Sequence, residues 1–510
     1  SRLCYWLSEL GIKSLYICPD LNYGAAVHAD KWIPVLPNTD AALHLAIAYV
    51  WITEGTYDKD YIASHAYGFE NFENYVLGKE DGFPKTPAWA SERCGVPEWT
   101  IKALARDWAK KATSIIHGNG GPGIRGPYST EPGRLEPMLL GMQGLGRPGV
   151  HQAKMLEWNL FSDKPPLPYQ SKIRPWLPHA GDILPPAQGI EGLGLAGSYG
   201  GLETADLQNL LEPEGFLKPA QFIPKNLVHD AILDPPIKWY GMSSFFGPTS
   251  DQWVEHTFPR EGCSEIHMIW TDTPCWTTCW NDTNAYVKAL QKPSIECIVA
   301  QQMALENDCL LADIVLPITT KLEDYDIGDD EGSGVFMSIF LENRAIEPLG
   351  ESLSDFDAAA KVAEKLGLWE KFTGNMSTEE RRKLFFDSSP IKEAVSWDEL
   401  KEKEYVVLQP EWGGDNASEA AKVPAGLRSF YEDPANNPLT TPTGLLEYTC
   451  SGLAENFPDD EERPPVAGWI EKGESHDERL SSDRAQQYPL LCVSNHPHWR
   501  MHAQADDILW

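Results

Sequence analysis

Short apolar runs alternate with longer amphipathic stretches over the first part of the chain. LYICP, Leu15–Pro19, is an apolar run bounded by polar residues and predicts a short buried strand. TDAALHLAIAYVWITEG, Thr39–Gly55, carries apolar residues at helical spacing. It predicts a helix with Thr39 as its N-cap and Gly55 as its terminating residue. PEWTIKALARDWAKK, Pro97–Lys111, repeats the helical spacing, and TSIIHGNGGPGIRG, Thr113–Gly126, reads as a strand opening into a glycine-rich loop. A further helix ends in GLGRPGV, Gly144–Val150. Successive strand, loop and helix units predict a parallel, doubly wound sheet.

This rhythm breaks over residues 161–235, where Pro and Gly are dense in DKPPLPYQ and GIEGLGLAGSYGG. Irregular segments of such length are usually functional or linking. Alternation resumes in IHMIWTDTPCW (strand into polar turn), NAYVKALQK (helix), SIECIVAQQ (strand) and LLADIVLPITT (strand). The expected organisation is therefore a first Rossmann-like unit over 1–160, the irregular segment 161–235 and a second Rossmann-like unit over 236–400. A mixed, acidic surface region follows over 401–484, and a β-rich domain begins at 485–510 with YPLLCVSNHPHWRMHAQ. The fold class is α/β.

Composition narrows the function classes. A length of 510 residues suits roughly two to four domains. The net charge is 42 − 75 = −33, which disfavours nucleic acid, because affinity there comes from neutralising phosphates. No run reaches the roughly 18–20 apolar residues of a membrane helix, and the start has no signal-peptide layout. Both ends read as those of an internal fragment. The ten cysteines include no CxxC pair, so neither a zinc ribbon nor a ferredoxin-type cluster is indicated. Scattered thiols of this kind suit a reducing, cytoplasmic compartment.

Ligands of open α/β sheets bind beyond the carboxyl ends of the strands. Four polar loops occupy such positions: Cys18–Asn22, Pro37–Asp40, Gly118–Gly121 and Thr271–Thr278. Glycine-rich loops and helix starts favour anions, and an Asp at a strand-to-helix turn can accept from a guanine or ribose edge. No GxGxxG follows the first strand and there is no Walker loop, which disfavours NAD and ATP. Alternation of His496, His498 and His502 could hold a metal ion, but that spacing does not fix a tetrahedral set.

In order, these pieces resemble the molybdopterin-dependent oxidoreductases of the dimethyl sulfoxide reductase family. That family's pattern is a strand ending Ile-Asp-Pro-Arg, then Ala-Asp-x-Trp-Leu-Pro-Ile-Arg-Pro-Gly-Thr-Asp-Ala-Ala-Leu. Here it reads ICPD and then ADKWIPVLPNTDAAL. EGTYDKDYIASHAYGFE, CGVPEWTIKALARDWA, GMQGLGRPGVHQ, PSIECIVAQQMALENDCLLADIVLPITTKLEDYD and YPLLCVSNHPHWRMHAQ match later family segments in collinear order. Four positions depart from the pattern. Cys18 stands for Asp, Asp20 for Arg, Asn38 for Gly, and Gln301 for an Asp of the second half.

The resemblance implies two Rossmann-like units that each grip one arm of a molybdopterin guanine dinucleotide pair, leading into a C-terminal β-barrel. It implies molybdenum, with tungsten as the alternative. Cofactor contacts fall on Cys18, Asp20, Asn38, Asp40, Gly118 and Gly120 in the first half, and on Thr271, Asp272, Thr273 and Gln301 in the second. Asn495, His496, Arg500 and His502 would meet pterin and phosphates. The metal ligand and any iron–sulfur segment would precede Ser1, so no metal-binding residue is assigned within the chain.

ICPDLNYG, AILDPPIKWYG and NHPHWRMHAQADDI are similar to family members that transfer hydroxyl groups between polyhydroxybenzenes. That likeness implies a polyphenol substrate, a small iron–sulfur partner subunit, and catalytic tyrosines among Tyr169, Tyr199 and Tyr325. A phenol can exchange a proton with a phenolic substrate of similar pKa. Two other readings stay open: an oxidoreductase acting on a small oxyanion or S/N-oxide, and a scaffold subunit without cofactor.

Overall fold

A computed structural model describes residues 2–118, 130–155, 221, 223–241, 253–272, 275–329, 337–388, 392, 395–408, 427–470 and 487–490. Two units divide the chain, one spanning Ser1–Glu157 with Ala421–Asn495, the other Trp158–Ala420 with His496–Trp510. The stretch grouped from sequence as 401–484 is thus shared between them.

In the first unit the elements run α1 (Arg2–Glu9), β1 (Leu15–Ile17), α2 (Tyr23–His28), β2 (Lys31–Ile33), α3 (Asp40–Glu54), α4 (Lys59–His65) and β3 (Ala66–Tyr67). They continue as α5 (Phe69–Val76), α6 (Pro87–Cys94), α7 (Glu98–Trp108), β4 (Ile115–Gly118), α8 (Thr130–Gly141) and β5 (Gln152–Met155). Ten of the fifteen residues of α3 are buried, so the helix is apolar nearly all round and needs neighbours on several sides. It has them in α5, α6, α7 and α8. Gly55 ends α3 at φ +65°, the left-handed conformation that glycine adopts without penalty, and its N–H bonds back to Ile52 and Trp51.

The strands pair in parallel, β1 with β2 (Ile17 opposite Ile33) and β4 with β5 (Ile115 opposite Gln152). A late segment completes this unit. Leu446–Glu447 pairs in parallel with β3, and Phe430, Tyr448, Ala467 and Trp469 join the α3 core. Gly141 permits that approach, since a methyl group there would overlap the Leu446 and Tyr448 side chains.

The second unit carries an antiparallel pair, β6 (Ile237–Tyr240) with β7 (Glu255–Phe258). A parallel sheet follows in the order β10–β9–β8, from β8 (Met268–Thr271), β9 (Cys297–Gln302) and β10 (Ile314–Pro317). Ile269, Ile298, Ala289 and Leu290 pack together, so helix Thr283–Leu290 covers one face of this sheet. An antiparallel meander, β11 (Asp326–Asp329), β12 (Met337–Glu342) and β13 (Tyr405–Leu408), packs on Phe386, Trp397 and Leu400. The fold is α/β with parallel sheets. Among the described residues no sheet closes into a barrel; of 485–510, where one was expected to begin, only 487–490 are described. Among the described residues no helix is long and apolar enough to cross a membrane.

Candidate functional site

Because β1 and β2 are parallel and in register, Cys18–Asn22 and Pro34–Asp40 leave the sheet at the same edge. The Trp32 indole N–H donates to the Cys18 carbonyl at 3.0 Å, tying one loop to the other strand. Asn22 caps α2, accepting from the Ala25 amide at 3.0 Å, and its amide group donates to the Cys18 sulfur at 3.7 Å. Burial raises the Cys18 thiol pKa, helped by the charge of Asp20 and, more weakly, of Asp40. The field of Asp40 therefore reaches Cys18, and the first two predicted loops form one locality.

Asn38 lies at φ +60°. Asparagine tolerates this left-handed conformation better than most residues, so the turn survives the replacement of the family's glycine. Thr39 departs from expectation. It occupies the N-cap position but makes no side-chain cap bond; its buried hydroxyl donates to the Leu36 carbonyl at 2.5 Å. That bond closes the Pro37–Asn38 turn from below. Asp40 then stands as the first helical residue, where a carboxylate suits the helix dipole.

One turn further on, His44 is 8% exposed. Helical side chains lean toward the N-terminus, which brings its ring toward Asp40. Burial lowers its pKa, opposed by the charges of Glu136 and Asp40 and by a hydrogen bond to the Pro132 carbonyl. Its Nδ1 has no hydrogen-bond partner. Glu136 is itself buried and accepts from the Gln152 side chain at 2.5 Å. Sequence reading missed His44; the available signal was a lone imidazole in the apolar run AALHLAIA.

The sign of its pH effect follows from the lowered pKa. Below the ordinary imidazole range, near 6.5, the unfolded chain takes up a proton that the folded chain resists. This contribution to stability is present above that range and is lost as pH falls through the folded value. The thermal midpoint of the first unit is expected to drop more steeply between pH 7 and pH 5 in the native sequence than in His44→Gln. Parallel curves would contradict this.

In the second unit, Thr271 closes β8 and Asp272 follows it at the sheet's carboxyl edge. Asp308, 6% exposed, reaches in from the turn after β9 and accepts from the Trp276 amide, the Thr277 hydroxyl and the Thr277 amide, the last at 3.2 Å. It therefore holds the far side of the predicted Thr271–Thr278 loop. Burial, with Cys279 alongside, pushes the Cys275 thiol up to about 12. Trp276 and Trp280 stack at 4.9 Å.

Gln301 lies near the end of β9, where it was expected, but protein groups engage its amide. Its oxygen accepts from the Trp270 indole at 2.7 Å and its nitrogen donates to Asp355 at 2.6 Å. Tyr325 is 39% exposed, its ring flanked by the guanidinium groups of Arg344 at 5.0 Å and Arg382 at 5.4 Å. Gly118 ends β4 opposite Met155. Gly120, Tyr169, Tyr199, Thr273, Asn495, His496, Arg500 and His502 lie outside the described residues. Among the described residues no group of three or more His, Cys, Asp or Glu side chains is placed to hold a metal.

Residues 254–365 match the family model for molybdopterin oxidoreductase. Over 98% of its length the chain is 32% identical to the pyrogallol hydroxytransferase large subunit of Pelobacter acidigallici, and it covers 58% of that subunit. Over 97% of its length it is 28% identical to the trimethylamine-N-oxide reductase of Haemophilus influenzae, covering 54%. The chain thus spans little more than half the length of these relatives. Among solved structures, acetylene hydratase from Pelobacter acetylenicus superposes with a TM-score of 0.50 at 16% identity, over 95% of this chain and 57% of that one, a likeness of fold alone. Members of the matched family are enzymes that bind molybdenum through molybdopterin guanine dinucleotide. A family match that falls on β8 to β10, together with a relative aligned across nearly all of the chain, leads to one conclusion: the chain carries a molybdopterin oxidoreductase match and is similar to an enzyme subunit over nearly all of its length.

Proposed function

We propose that the chain belongs to the large catalytic subunit of a molybdenum enzyme that transfers hydroxyl groups between polyhydroxybenzenes of the pyrogallol type. The observation that carries the cofactor reading is the shared sheet edge in the first unit. There the left-handed Asn38 turn, Asp40 at the helix start and the Cys18–Asp20 loop stand together. An acidic group beside a tight turn, above a buried imidazole with an unused nitrogen, fits a purine edge that donates N–H groups. The substrate reading rests on the 32% identity to a pyrogallol hydroxytransferase subunit.

In this reading each unit is Rossmann-like, and the chain continues at its end into a β-barrel. Asp40 would accept from one guanine, with Asn38, Cys18, Asp20, Gly118 and Gly120 around that arm of the cofactor. Thr271, Asp272 and Thr273 would meet the other arm, with Gln301 holding β8 and the helix beginning at Asp355 in register beside it. Asn495, His496, Arg500 and His502 would face pterin and phosphates, with Arg500 as the phosphate fork. When bound, the metal supplies the redox and Lewis-acid chemistry. The protein's own task at the substrate is to move a phenolic proton, for which Tyr169, Tyr199 and Tyr325 are the candidates. A small iron–sulfur subunit is the expected partner.

The test is metal and guanine content of the full-length protein. Two guanine nucleotides and one molybdenum ion per chain are expected, with tungsten as the alternative metal. Asp40→Ala is expected to weaken retention of guanine nucleotide about 100-fold, the scale of two lost charge-assisted hydrogen bonds. Turnover of pyrogallol separates the substrate reading from reduction of trimethylamine N-oxide. A protein with neither metal nor guanine would be a scaffold.

A further inference from the structure

Tyr325 stands on the segment that leaves the carboxyl end of β10, the edge at which open α/β sheets take their ligands. Hydrogen bonds fix that segment. Glu323, 3% exposed, accepts from the Thr320 amide and hydroxyl at 2.8 and 2.7 Å and from the Leu349 amide at 2.7 Å. The Leu322 carbonyl accepts from the Ala345 and Ile346 amides at 2.8 and 3.0 Å. The two guanidinium groups over the Tyr325 ring belong to the same frame. Arg344 donates from Nε to the Glu323 carbonyl at 3.0 Å. Arg382, 5% exposed on helix Thr378–Ser388, donates to the Glu342 carbonyl at 3.2 Å and to the Asn343 side-chain oxygen at 3.1 Å. Their carboxylate partners are loose: Glu347 lies 3.4 Å from Arg344 and Glu379 3.3 Å from Arg382, and both are more than half exposed. Exposed pairs of that kind contribute little. A cation over a ring is attracted by its face, and a planar guanidinium also restricts how the ring turns.

We infer that Arg344 and Arg382 are positioning residues for Tyr325, holding its phenol in place for proton exchange with a phenolic substrate. This rests on the reading of the protein as a polyphenol hydroxytransferase. The step moves one proton: an O–H bond breaks on one phenol, an O–H bond forms on the phenolate oxygen of the other, and no electron is transferred. Neither arginine need touch the substrate, because each acts through the ring. Fold maintenance accounts poorly for the arrangement. Burying a charged group costs stability, and the buried Nε of Arg382 has no hydrogen-bond partner among the described residues to offset it.

The experiment measures kcat and KM for pyrogallol with the full-length, cofactor-loaded protein. Tyr325→Phe is expected to lower kcat about 100-fold, the scale of a lost proton-transfer group. Arg344→Met removes the charge but keeps a chain of similar length. It is expected to lower kcat about tenfold with KM within about twofold of native, the scale of a misplaced catalytic group. Arg344→Lys, a cation without the planar fork, is expected to recover to within about threefold of native. Arg382→Met should match Arg344→Met, and Arg344, the more exposed of the pair, carries the test if Arg382→Met fails to fold. The deciding variant combines Tyr325→Phe with Arg344→Met. With the phenol gone the arginine has nothing to position, so the double variant is expected to be no slower than Tyr325→Phe alone. A further loss of about tenfold would mean that Arg344 supports the protein independently of Tyr325, and it overturns the inference, as does native kcat in Arg344→Met. Pyrogallol turnover that survives Tyr325→Phe at the native rate also removes the inference but leaves the hydroxytransferase reading. A native protein that reduces trimethylamine N-oxide and leaves pyrogallol unchanged removes both.

Discussion

Replacing Asp308 by alanine is expected to destabilise the second unit by about 3–5 kcal/mol, the scale of leaving several buried donors unpaired. The carboxylate is buried and accepts from two amides and one hydroxyl on the Cys275–Thr278 turn. Removing it strands all three donors where water does not reach. Asp308→Asn preserves an acceptor and should cost about half as much, because its NH2 group faces donors instead of acceptors. Since a chain with two units need not unfold in one step, the direct measurement is hydrogen exchange at the Trp276 and Thr277 amides. Protection of both should collapse in Asp308→Ala while the amides of α3 keep theirs. Unchanged exchange at Trp276 would mean that some other group is its acceptor.

Trp51→Ala is expected to cost the first unit a similar 3–5 kcal/mol, the usual range for a large aromatic removed from a core. Trp51 is fully buried on α3, meets Trp108 edge-to-face at 5.2 Å, and donates its indole N–H to the Ala105 carbonyl at 2.7 Å. Transfer and cavity contributions add here, because α5, α6, α7 and α8 hold the walls of the space apart. Trp51→Phe keeps most of the ring, and the Ala105 carbonyl keeps its bond from the Ala109 amide, so about 1–2 kcal/mol is expected. The thermal midpoint of the first unit, followed through its tryptophan fluorescence, ranks the variants. Equal midpoints for alanine and phenylalanine would show that the hydrogen bond, rather than the volume, is what matters.

Elements with strong local signals were readable from the chain. The helix expected over Thr39–Gly55 is present as Asp40–Glu54, with Gly55 in the left-handed conformation its position predicted. The apolar runs in IHMIWTDTPCW, SIECIVAQQ and LLADIVLPITT became three neighbouring parallel strands. What escaped depends on contacts distant in sequence or on a choice between two local bonds. Thr39 could cap its helix or turn back to Leu36, and spacing does not decide between them. Asp308 acts on residues about thirty positions earlier, beyond a helix and β9, so nothing beside it in the sequence reveals its task. The same holds for Tyr448 and Trp469, whose apolar rings sit in an otherwise polar, acidic stretch and mark nothing by periodicity. His44 was visible as an anomaly, but its meaning required knowing that Glu136 comes to face it.

The return of residues 427–470 to the first unit sets an order of assembly on a chain made from one end. Tyr448 donates to the Met138 carbonyl, Arg134 to the Pro465 carbonyl, and the Gly468 amide to Glu131, closures of 310, 331 and 337 residues. During synthesis the helices around α3 emerge early yet must wait, with part of their apolar surface uncovered, until these late residues leave the ribosome. At roughly 5–20 residues per second the delay is on the order of tens of seconds, a window in which a nascent chain is open to chaperones or to aggregation. Completion of the first unit therefore waits on residues that lie far along the chain from its helices.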